Sequence, residues 1–90
     1  MKYRSRTEIS AMILETARPG ATKTKIMYKA YLSYTQVKEY ISFLRDNDLL
    51  RYEKLTKQYR ITEKGFKFLH SYDQILELLS FKNKEKKIVI

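Results

Sequence analysis

Residues 23–44 read KTKIMYKAYLSYTQVKEYISFL, a run without glycine or proline that is apolar enough to form one buried helix. Ser33 and Gln36 argue against that reading. They stand three apart, the spacing at which a hydroxyl takes an orphan backbone N–H and the amide side chain reaches back, so a helix is expected to begin at Ser33. Val37, Ile41 and Leu44 repeat at helical spacing behind that start, while Ile26, Met27 and Ala30 ahead of it suit a short helix beginning near Thr22. The stretch is therefore two helices around a three- or four-residue turn within YLSY, a helix-turn-helix.

The flanks extend this pattern. SRTE at 5–8 reads as a second capping box, with Ser5 and Glu8 ahead of Ile9, Ile13 and Ala17, and predicts a first helix over about 5–18. RPG then stops it, because Pro19 disfavours helix at Arg18 and Gly20 permits a turn. Leu50, Tyr52, Tyr59 and Ile61 alternate with polar residues around KLTKQ, as in a two-strand hairpin. Thr62 can cap a last helix carrying Phe66, Leu69, Tyr72, Leu76 and Leu79 along one side. The fold class is mainly α with a small β-hairpin wing: a winged helix-turn-helix with a C-terminal helix. Residues 1–62 form the core, with a recognition helix over about 33–47 and a wing over about 50–62. A helix over 63–80 and a basic, aliphatic tail over 81–90 follow.

Ninety residues support one modest core, so any site must lie on the surface. The chain carries 19 Lys and Arg against 10 Asp and Glu, a formal +9, with the N-terminal third the most basic. That balance favours a polyanionic partner, either nucleic acid or an anionic membrane surface. The absence of cysteine removes disulfides, thiolate zinc sites and thiol nucleophiles. No apolar stretch approaches the roughly 20 residues that span a bilayer, so the expectation is a soluble, cytoplasmic chain. His70 is the single histidine, and Gly20 and Gly65 cannot make a phosphate loop. Neither catalysis nor a cofactor, metal or small-molecule ligand is expected.

TKTKIMYKAYLSYTQVKEYISFLRDNDLL followed by YRITEKGFKFL resembles the archaeal 10a-type small winged-helix DNA-binding proteins. In them a Lys-Thr-Arg/Lys-Ile-Met-Tyr run opens the second helix, Leu-Ser-Tyr begins the third, and Leu/Ile-Thr-x-Lys-Gly leaves the wing. The similarity covers about residues 5–72. It implies binding to double-stranded DNA and a homodimer formed by a long C-terminal helix in an antiparallel coiled coil. Two departures stand out: Lys29 occupies a position where members often have glycine, and the apolar repeat lasts only about two heptads, from Leu69 to Leu79, before Asn83 and a lysine cluster.

With Val37, Ile41 and Leu44 turned inward, the roughly 100° step of a helix points Thr35, Lys38, Glu39 and Ser42 outward, with Ser33, Tyr34 and Gln36 at the leading end. A recognition helix offers that end to the major groove. Gln36 either pairs with adenine or only completes the cap with Ser33; Tyr34 is either a phosphate contact or a core-edge residue. Thr35 suits a phosphate or a thymine methyl, and Lys38 suits guanine or backbone. Lys54, Lys57 and Arg60 on the hairpin can grip flanking phosphates, or else form an ordinary solvated turn. Lys23 and Lys25 start the second helix, where backbone N–H groups also favour phosphate. Arg4 and Arg6 read as a flexible arm or as merely solvated. Leu69, Tyr72, Ile75, Leu76 and Leu79 present either a dimer face or a surface that folds back on the first helix.

Overall fold

Each helix begins on a hydroxyl. In the computed structural model, which describes residues 4–79, the helices are α1 (Arg6–Ala17), α2 (Lys23–Lys29), α3 (Tyr34–Asp46) and α4 (Glu63–Leu78). Ser5, Thr22, Ser33 and Thr62 accept backbone N–H bonds from Glu8, Lys25, Gln36 and Gly65 at 2.9, 3.2, 3.1 and 3.0 Å. Each such cap contributes about 1 kcal/mol. At α3 the box is complete, since Gln36 Oε1 also accepts the Ser33 N–H at 2.9 Å. At α1 the Ser5 half forms. Glu8 lies instead near Tyr72 of α4, whose phenol is pushed up in pKa by burial first and by the Glu8 charge second.

The two ends of the helix-turn-helix close in the same way. After α2, Tyr31 N–H bonds the Tyr28 carbonyl at 3.2 Å and Leu32 N–H bonds that of Met27 at 3.0 Å, with Tyr31 left-handed at φ 54°. After α3, Asp48 N–H bonds Arg45 at 3.0 Å and Leu49 N–H bonds Leu44 at 2.9 Å, with Asp48 at φ 59°. Both are Schellman closures, which satisfy carbonyls that a helix end otherwise leaves unpaired. The turn is Ala30–Ser33, of the expected length but one residue earlier than YLSY, because Ala30 caps α2 rather than lying within it.

Strands β1 (Leu50–Glu53) and β2 (Gln58–Ile61) pair antiparallel, Leu50 opposite Ile61 and Tyr52 opposite Tyr59. The tyrosine rings lie 4.9 Å apart, within the range of favourable aromatic pairing. Ala21, between α1 and α2, adds an isolated antiparallel bridge to β2: its N–H bonds the Tyr59 carbonyl at 3.0 Å and its carbonyl accepts the Tyr59 N–H at 2.7 Å. Gly20 makes this approach possible, with φ 97° and a position where a Cβ would sit 2.6 Å from Gln58 Oε1.

Ile13, Leu14, Ile26, Val37 and Leu44 are fully buried, and Leu50 and Ile61 close the core from the hairpin. Leu69, expected on a dimer face, is 3% exposed and belongs to this core instead. Helix α4 reaches it because Gly65 lets the first turn settle on the backbone of Leu49; a Cβ there would run into the Leu49 carbonyl oxygen and lie 2.5 Å from Ile61 Cγ1. The tail over 81–90, with Phe81 and KKIVI, lies outside the described residues.

Within the hairpin, Glu53 Oε1 accepts bonds from Arg60 Nε and Thr56 Oγ1, each at 2.8 Å. These bonds, Arg60 first, hold the Glu53 carboxyl below the ordinary glutamate pKa. Arg60, expected among the phosphate-gripping cations, thus has its Nε committed inside the wing.

Two outcomes follow from these contacts. Gly65→Ala should destabilise the fold by about 2 kcal/mol through overpacking, outweighing the helix-propensity gain of about 1 kcal/mol; a lower urea midpoint at unchanged slope checks this. The Glu53 pair should support the hairpin at neutral pH and lose its contribution as pH falls below the ordinary glutamate range and through the lower folded-state value. A carboxyl titration by NMR should show Glu53 returning toward the ordinary value in Arg60→Gln.

Candidate nucleic-acid interface

The face of α3 opposite the core carries Thr35, Lys38, Glu39 and Ser42, all exposed. Tyr34 opens the helix at 59% exposure. The Lys23 and Lys38 ammonium groups stand 5.5 and 5.2 Å from the centre of its ring, so two cations from different helices meet at one aromatic ring. The ring faces solvent rather than core, although its cation partners occupy part of it.

Behind this cluster a cleft of about 400 Å³ runs between α3 and β2, lined by Lys23, Lys38, Ser42, Arg45, Asp46 and Tyr59, with Ile41 at its base. Three cations face one carboxylate, Asp46. Arg45 was not singled out from sequence, yet it stands seven residues after Lys38 and so returns to the same helical face. A longer count along α3 would have found it.

Ser33 and Gln36 are both spent on the cap, and Gln36 keeps its amide nitrogen for any further partner. Lys25 is exposed in the first turn of α2. Lys54 and Lys57 are exposed at the hairpin turn, where Lys57 is left-handed at φ 57°. With Arg60 bonded to Glu53, these two lysines are the wing-tip cations.

The reading of Arg4 and Arg6 as a flexible arm needs correction. Arg4 Nη1 donates to the Ala30 carbonyl and Nη2 to that of Tyr31 at 3.0 Å, while Nη1 also approaches Met12 Sδ at 3.4 Å. Arg6 lies 4.7 Å from the Phe43 ring and 5.4 Å from the Tyr40 ring. Carbonyls left over at the end of α2 and the open face of an aromatic pair capture the two guanidiniums.

On α4 the expected apolar face divides along its length. Leu69 is in the core and Tyr72 packs half-buried against it, which is the fold-back onto α1. Leu76 is half-buried, and Ile75 and Leu79 are exposed. Among the described residues no helix is long and apolar enough to cross a membrane.

Comparisons with known proteins agree with the architecture. The uncharacterized protein MJ0287 of Methanocaldococcus jannaschii is 32% identical over 80 residues, spanning 88% of this chain and 80% of that one. The uncharacterized protein MJ0290 of the same organism is 37% identical over 57 residues, 63% of this chain but 26% of the longer relative. A family described as winged helix-turn-helix matches residues 3–80. With three helices, a two-stranded wing and a packed fourth helix in the matching order, the chain belongs to the winged helix-turn-helix family, a class of DNA-binding domain.

Proposed function

We propose that this protein binds double-stranded DNA as a transcription regulator, with the leading end and outer face of α3 in the major groove and the wing on flanking backbone. The observation that carries this reading is the cleft where Lys23, Lys38 and Arg45 gather beside the exposed face of α3. Its cations match phosphate, and the neighbouring Thr35 and Ser42 suit base edges or backbone. Lys25 extends the phosphate contact along α2, and Lys54 and Lys57 extend it along the wing. The formal +9 charge supports the same partner. The resemblance to the archaeal 10a-type proteins supports it independently, and a DNA partner implies a cytoplasmic, nucleoid-associated location.

We also propose a homodimer through the outer half of α4. Ile75 and Leu79 are 51% and 56% exposed, with Leu76 half-buried between them, and this surface is more apolar than a solvated helix end requires. A second reading, a chromatin-type protein that binds without sequence preference, rests on the same cations and differs in specificity ratio.

Selection from a random duplex library at two salt concentrations separates these readings. An enriched palindromic motif is the outcome expected of a dimeric regulator. Salt-dependent binding without enrichment would replace it with the chromatin reading, and no binding at low salt would leave protein docking as the role of this domain. Replacing Lys54 and Lys57 together by alanine should make the slope of log affinity against log salt shallower by about two, close to one unit per phosphate lost. An unchanged slope would remove the wing from the interface. Ile75→Asp should halve the mass seen by light scattering; a wild-type chain already monomeric would end the dimer proposal.

A further inference from the structure

Among the described residues, three other than glycine hold a left-handed backbone: Tyr31, Asp48 and Lys57. Aspartate is among the few side chains that visit this region routinely, and Asp48 sits where a helix closure calls for it. Tyr31 has no such excuse. It occupies the residue after the α2 cap, the position at which glycine is the usual solution because a Cβ meets the neighbouring carbonyl.

Nothing in the fold rewards tyrosine there. Its side chain is 78% exposed, so the ring adds little to the core. The conformation is held by other residues: the paired bonds to Met27 and Tyr28, the burial of Leu32, and the Arg4 guanidinium on the Ala30 and Tyr31 carbonyls. Backbone strain persists where surrounding structure over-determines it, and a strained residue with no packing role points to use of its side chain. Lys57, the other strained position, is also exposed and stands at the wing tip.

The neighbours indicate the use. Tyr28, Tyr31 and Tyr34 follow at intervals of three through the end of α2, the turn and the start of α3, exposed at 69%, 78% and 59%. Tyr34, three residues after Tyr31, has Lys23 and Lys38 against its ring, and both lysines line the cationic cleft. In helix-turn-helix docking the helix before the recognition helix crosses the sugar–phosphate backbone. Phenol hydroxyls are among the donors that bond phosphate there.

We infer that Tyr31, with Tyr28 beside it, is a DNA-backbone contact at the helix-turn-helix turn, and that the left-handed strain is retained to present its phenol to a phosphate. This rests on the duplex-binding reading given above. It adds a neutral contact to an interface otherwise built on lysine and arginine, so its contribution should leave the salt dependence untouched.

The test uses the full chain, a fluorescein-labelled random-sequence duplex, and the variants Tyr31→Gly and Tyr31→Phe. Tyr31→Gly should raise the thermal midpoint, because strain is relieved, and should weaken binding about tenfold at unchanged salt slope, the effect of one hydrogen bond to a charged acceptor. Tyr31→Phe keeps ring and strain but lacks the hydroxyl; it should leave the midpoint near wild type and weaken binding similarly. A stabilised glycine variant that binds as tightly as wild type would overturn the inference while leaving duplex binding intact. A destabilised glycine variant would overturn the premise of strain. A wild-type chain that fails to bind the duplex would overturn the functional reading itself.

Discussion

The fold turns on the Thr62 hydroxyl. It accepts the Gly65 N–H at 3.0 Å and donates to the Asp48 carbonyl at 2.7 Å, while the Thr62 N–H bonds the Leu49 carbonyl at 3.2 Å. One residue thereby begins α4, closes the exit from α3 and ends β2. The absence of a side chain at Gly65 completes the joint, letting α4 lie on the Leu49 backbone. Were this junction looser, Leu69 would not reach the core, and the angle between α3 and the wing would lose its anchor.

Much of this was legible in the sequence because it is written in local chemistry. A hydroxyl before each apolar repeat marked all four helix starts, and alternation of Leu50, Tyr52, Tyr59 and Ile61 marked the hairpin, whose register the structure supplies. What escaped were interactions between residues far apart in the chain. Leu69 reads as one of five equivalent apolar positions until the approach allowed by Gly65 is known. Arg60 reads as a free cation until Glu53 is placed seven residues away across the turn. Arg4 looks like a solvated terminus because its carbonyl partners lie 26 and 27 residues ahead.

The candidate interface shows the same division. Periodicity identified the outer face of α3, but it could not bring Lys23 to the Tyr34 ring or place Tyr59 at the wall of the cleft. Capping chemistry and base recognition compete for the same side chains at the start of α3, and the cap claims Ser33 and half of Gln36. In the duplex complex proposed above, specificity would draw on residues further along the helix, Lys38, Ser42 and Arg45, and on contacts from its neighbours.

The Ala21–Tyr59 bridge has a mechanical meaning. Two hydrogen bonds lash the wing to the segment between α1 and α2, and so restrict the span between α3 and the hairpin tip. A restricted span leaves the domain less room to adjust. In a complex of the kind proposed, any mismatch in span falls on the duplex, and the bending energy of the DNA becomes part of recognition. Base steps that yield easily would then be favoured even where no side chain touches them.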